Sequence, residues 1–193
     1  VAVPTIRAVG TVASGIAAIS PGLPAGTVAG DLLVMFLETA GEAITVSGWT
    51  ATPSSPQDAG VTTTRLTAFY KVAAGGDATT TSDSGNHQIG RIIGITTGTF
   101  DATTPFNISD GGGDTTGTTA VSIPGATTTL DDCLVLAANA GSLPDAVGTA
   151  EFSSWANADL TSVTERIDNT EWAGSGGSLG VASGEKATAG AYG

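Results

Sequence analysis

The chain has 193 residues, enough for one domain with a sizeable core, and no compositional break divides it. Six Lys and Arg against 18 Asp and Glu give a formal charge of -12. The basic residues (Arg7, Arg65, Lys71, Arg91, Arg166, Lys186) stand singly, which excludes the basic stripe of a nucleic-acid-binding surface.

The opening stretch, 1–22, is apolar with Arg7 as a basic flank, but Gly10, Thr11, Ser14 and Gly15 interrupt it too often for a secretion signal. It is expected to form an opening strand or two. Downstream, period-two alternation and continuous apolar runs recur, and no window sustains the i, i+3, i+4, i+7 pattern of an amphipathic helix. Strands are expected over 5–12, 15–19, 31–39, 43–46, 48–52, 63–73, 88–99, 119–123, 133–139, 161–167 and 178–183, with a last one near 187–192. Glycine, proline and small polar residues at 20–26, 73–78, 82–86 and 109–117 supply the turns. The longest apolar run, Leu32 to Leu37, is too short to span a membrane as a helix. These features predict a single all-β domain over 1–193, a jelly-roll-like antiparallel β-sandwich, with a lipocalin-like barrel as the alternative.

Within that frame, the alternation in 63–73 places Leu66, Ala68 and Tyr70 on one strand face and Thr67, Phe69 and Lys71 on the other. The run from Gln88 is apolar at almost every step, as expected of a central strand between two layers. A weak internal echo joins Gly30–Glu38 to Asp131–Asn139: each begins with a turn-forming acidic residue and continues through buried-strand hydrophobes. Two copies suggest two related sheet halves rather than a solenoid. On this reading Leu33 and Leu134 both lie in the core.

Reactive side chains are few. Cys133 is alone in an apolar run and reads as a buried thiol, so no intrachain disulfide is expected. His87, the one histidine, falls in the polar turn "SGNHQ" and is expected to be solvated, leaving no arguable nucleophile–base pair and no zinc site. Asp110 and Asp114 bracket three glycines, but the set is too sparse for a calcium loop. Glu38, Asp58, Glu151, Glu165 and Glu171 could supply paired carboxylates, and nothing in their spacing singles out a pair. No catalytic residue, metal or cofactor is therefore expected. Among the tryptophans, Trp49 reads as a core or sheet-edge anchor, while Trp155 and Trp172 are the candidates for an interaction surface. Small and polar neighbours make Trp172 the more exposed of the two.

The ordered series "PAGTVAGDLLVMFLET", "GWT", "TRLTAFYKVAAGGDATT", "QIGRIIGITTGTFDATTPFN", "DDCLVLAANAG", "SVTERID" and "GGSLGVASGEKATAGAYG" resembles jelly-roll structural proteins of tailed bacteriophage particles. The resemblance runs from about Pro24 to the C-terminal residue and carries over no catalytic residue. It implies a non-enzymatic virion protein, assembled in the host cytoplasm: a capsid decoration, a head fibre or a tail-associated part. The partners it implies are the major capsid protein or another virion protein, in a homo-oligomer, with neither nucleic acid nor membrane bound. The anionic chain favours the outer face of a head over the packaged genome. The alternative is a tail-fibre or adhesin module that binds host-surface glycan.

Overall fold

The computed structural model describes residues 2–57, 63–83, 85–116, 119–142 and 150–193. In chain order these form strands β1 (Ile6–Val9), β2 (Ala13–Gly15), β3 (Leu32–Thr39), β4 (Thr50–Ala51), β5 (Arg65–Val72) and β6 (Gln88–Ile95). They continue with β7 (Ala126–Thr128), β8 (Cys133–Gly141), β9 (Thr161–Glu171), β10 (Gly177–Lys186) and β11 (Gly190–Tyr192), with no helix among the described residues. The first part of the chain makes a six-stranded sheet in the order β1-β6-β3-β5-β4, with β2 also paired to β6. The later part makes a three-stranded sheet, β8-β10-β9, and β11 pairs with β7 in a two-stranded one. Every pairing is antiparallel, and the two larger sheets face each other as a β-sandwich.

One core lies between those sheets and the other lies behind the larger one. Val34, Phe36, Ile89 and Ile93 pack against Ile167, Leu179 and Val181 of the smaller sheet. On the far face, Leu33, Met35, Leu37 and Ile92 pack beneath Ile19, Ile44, Val46 and Trp49, which come from chain crossing the back of the sheet. β3 is consequently buried along its whole length, and its first six residues read as an uninterrupted apolar run. In β6, a Cβ at Gly90 would overlap Leu37 and Pro21, so the glycine lets the 19–24 segment lie directly on the strand.

The expected alternation in β5 is present: Leu66, Ala68 and Tyr70 approach the inter-sheet core while Phe69 enters the rear one. Four expectations need correction. The 15–19 segment forms no strand: β2 ends at Gly15, and the chain then turns so that Ile19 enters the rear core and bonds Thr81. The 43–46 segment forms no strand and contributes only the isolated bridge Val46–Thr81, because it runs across the back of the sheet rather than along an edge. The 119–123 segment forms no strand either: Val121 is exposed, so the segment has no buried face to hold it in a sheet. Cys133 is half-buried rather than buried because β8 is an edge strand. Burial, together with the charges of Asp131 and Asp132, pushes its thiol above the ordinary value.

Candidate functional site

Two places concentrate chemistry. The first is a polar cluster at one end of the sandwich, where the end of β3, the start of β6, the end of β9 and the β9–β10 turn meet. Glu38 occupies an inward position on β3, and His87 immediately precedes β6. Both side chains are fully buried, and the His87 Nε2 lies 2.8 Å from Glu38 Oε2 and 3.0 Å from Oε1. Thr64 donates its hydroxyl to Glu38 Oε1 at 3.0 Å, and the His87 Nδ1 lies 3.1 Å from the Ser175 hydroxyl. Burial pushes the Glu38 carboxyl above its usual range, and the bonds from His87 and Thr64 offset only part of that. A Cβ at Gly177 would overlap both the carboxylate and the imidazole, so only glycine lets β10 pass over the pair.

This position of His87 overturns the solvated-loop expectation. The residues around it are polar in sequence, yet the chain folds β10 and the β9–β10 turn over them. A serine hydroxyl, an imidazole and a carboxylate in a row form the hydrogen-bonded series that can activate a nucleophile. Ser175 is exposed on the turn, between Gly174 and Gly176, both with positive φ. The larger cavity of the molecule is lined by neither Ser175 nor His87, and the imidazole is sealed beneath the turn. The row also ties the two sheets together, since His87 beside β6 meets Ser175 on the β9–β10 turn.

Glu171, at the end of β9, completes the clamp. Its Oε1 accepts the backbone N–H groups of Trp172 and Ala173, each at 2.9 Å. Burial would raise its carboxyl, but the Ser14 hydroxyl and those two N–H groups outweigh it and hold it below the ordinary value. Ser175 N–H donates to Asn86 Oδ1 at 2.9 Å. The turn so pinned presents Trp172, which is 68% exposed. Trp155 is elsewhere: it packs against Phe152, whose ring lies over Gly180 of β10, and its indole N–H donates to Glu165 Oε2 at 3.1 Å. Glu165 and Glu171 are six residues apart on β9, about 20 Å, so the two candidate tryptophans do not share one platform. Trp49 is an anchor, its indole N–H donating to the Ala78 carbonyl at 2.9 Å.

The second place is a trough of about 1400 Å³ between the sheets, on the side where β8 faces β5. Its floor is Leu32, Val34 and Phe36 of β3 with Leu66 and Ala68 of β5, and one wall is the β8 edge. The opposite wall comes from residues within 104–116 and 119–124, including Phe106, whose ring meets Tyr70 edge-on at 4.8 Å. Asp110 and Asp114 sit on this wall with their carboxylates turned to their own loop, accepting from the N–H groups of Gly111 and Thr116. Among the described residues no group of three or more His, Cys, Asp or Glu converges as a metal-ligand set. Asp58 and part of the 82–86 and 109–117 turns lie outside the described residues.

The class defined by these features is an antiparallel β-sandwich with a closed, polar-clamped end and an open, apolar side. No family model, curated protein or solved structure matches the chain.

Proposed function

We propose that the protein is a non-enzymatic structural component of the tailed-bacteriophage virion, a decoration protein attached as a homo-oligomer to the outer face of the head through the major capsid protein. One observation carries this reading: the chain spends its cations on itself and leaves an anionic surface. Arg7 forms a 2.6 Å ion pair with Asp31, and Lys71 forms one of the same length with Asp77. Arg91 donates to the Gly10 carbonyl and to Asn169, Arg166 to Ser183, and Lys186 to the Asp159 carbonyl. A -12 chain with five of its six basic groups so engaged is repelled by packaged DNA and suits the outside of a shell. The ordered sequence resemblance supplies the virion context. Mixing the purified protein with heads that lack it tests the reading: co-sedimentation at fixed stoichiometry and added resistance of the heads to heat are expected. Particle images that place the protein at the tail tip would overturn it.

A second reading has its own observation. Trp172 stands exposed on a turn pinned by Glu171 and Asn86, a rigid aromatic face with polar neighbours of the kind that stacks on sugar rings. On that reading the protein is an adhesin module, and host polysaccharide quenches the Trp172 fluorescence in proportion to binding.

A further inference from the structure

The two facing sheets are unequal, six strands against three, and the shortfall lies beside β8. Among the described residues β8 has one strand neighbour, β10, and its other edge borders the trough. Natural sheet edges are usually blunted by lysine, proline or a bulge. β8 has none of these: its sequence, CLVLAANAG, is free of charge and proline, and its register with β10 is unbroken over all nine residues. The side chains facing the gap are also undersupplied with neighbours. Leu134, Leu136 and Ala138 on β8 and Leu66, Ala68 and Tyr70 on β5 all point toward the inter-sheet core yet stay only partly buried.

We propose that this trough is a strand-acceptor site, in which an extended segment of a different protein adds to β8 as the fourth strand of the smaller sheet. The dimensions fit that occupant. A nine-residue strand fills a slab about 30 Å long, 4.8 Å wide and 10 Å deep, a volume on the order of 1400 Å³. A compact apolar ligand could occupy the space but would leave the backbone groups along the β8 edge without partners, whereas a strand satisfies both needs. The floor alternates apolar contacts at strand spacing, so the occupant presents apolar side chains at every second position.

Charge identifies the source of the strand. Among the described residues the trough is lined by Asp101, Asp110, Asp114, Asp131, Asp132 and Glu151, and by no Lys, Arg or His. Acidic groups along the groove attract a segment with lysine or arginine at its ends and repel a second copy of a -12 chain. The partner is therefore a different protein with a basic-flanked β-arm. The inference does not depend on the virion reading, since it concerns the kind of segment accepted and not the particle that supplies it.

The test uses the full chain and a nine-residue probe peptide, acetylated and amidated, with alternating valine and threonine between terminal lysines. Hydrogen exchange of the 133–141 amides is expected to slow on adding the peptide, while exchange around Trp172 stays unchanged. N-methylating the probe at the alternate residues that face β8 should weaken binding by about ten-fold or more, and N-methylating the other set should not. Replacing the terminal lysines by glutamates, or introducing D110N with D114N, should weaken binding by about three-fold or more at about 0.02 M salt and far less at about 0.5 M. Equal binding by the two N-methylated peptides, or no protection at 133–141, overturns the strand-acceptor site. So does competition by palmitate that protects the same amides equally well, which would make the trough a small-molecule cavity. Equal binding by the glutamate-ended peptide overturns the basic partner.

Discussion

Glu38 and His87 lie 2.8 Å apart with neither side chain reaching solvent, and a third strand passes over them only because residue 177 is glycine. A carboxylate removed from water loses hydration worth several kcal/mol, which its partners must offset. Removing the side chain, which strips Thr64 and His87 of their partner and leaves a void, is then worse than neutralising its charge. Glu38→Ala should destabilise the fold by about 3 to 5 kcal/mol, whereas Glu38→Gln, which keeps a hydrogen-bonding side chain of the same size, should cost much less. Urea denaturation of both variants checks this, and equal losses would show that the pair is not the clamp.

The same residue predicts a pH dependence of definite sign. Burial raises the folded-state pKa of Glu38, so the folded chain holds that proton more tightly than the unfolded chain does. The stabilisation is complete below the unfolded carboxyl's value, about 4.3, and is lost as pH rises through the raised folded one. Glu38→Gln cannot titrate there. The stability of the wild type relative to this variant should therefore fall from about pH 4 toward neutrality, and a flat difference between the two midpoints would contradict the assignment.

Asp31 predicts the opposite slope. Burial alone would raise its carboxyl, but Arg7 and the backbone N–H groups of Val28 and Thr97 outweigh that and hold it below the ordinary value. The stabilisation is present above the unfolded value of about 3.9 and disappears as pH falls through the lowered one. Asp31→Asn should cost about 1.5 to 3 kcal/mol at pH 7. Thermal melts should show that cost shrinking toward zero in strong acid.

These contrasts show why some of the fold was legible and some was not. β3 and β6 could be read because each is buried on both faces, so the apolar run is the local imprint of two layers. β5 could be read because its alternation separates Leu66, Ala68 and Tyr70 from Phe69. His87 could not be read, because its burial is imposed by Ser175 and Gly177, about ninety residues further along the chain. The echo between Gly30–Glu38 and Asp131–Asn139 misled in a specific way. β3 has a neighbour on each side, whereas β8, with similar residues, has β10 alone among the described residues. Sequence similarity between two strands says nothing about how many partners each one finds.

That difference has a measurable consequence at matched positions. Leu33 is fully buried on β3, whereas Leu134 on the β8 edge is only partly covered. Leu33→Ala should lose about 2 to 5 kcal/mol, the transfer free energy plus a cavity term. Leu134→Ala should lose less, roughly 1 to 2 kcal/mol, because part of its surface remains in water and the site can relax. Equal losses in chemical denaturation would place Leu134 in a closed core, contrary to an open β8 edge.

Trp172 separates the two functional readings. At 68% exposure its side chain adds little to the folded state, so Trp172→Ala should shift stability by no more than about 0.5 kcal/mol. The Glu171 carboxylate holds the turn through backbone N–H groups that the substitution leaves in place, so the surface around residue 172 should keep its shape. If the protein decorates a phage head through contacts elsewhere, the variant should co-sediment with deficient heads as the wild type does. If it is a glycan adhesin, the variant should lose polysaccharide binding by about ten-fold or more, since stacking on an exposed indole contributes on the order of 1 kcal/mol or more. A variant that loses head binding and still retains glycan binding would contradict both assignments of Trp172.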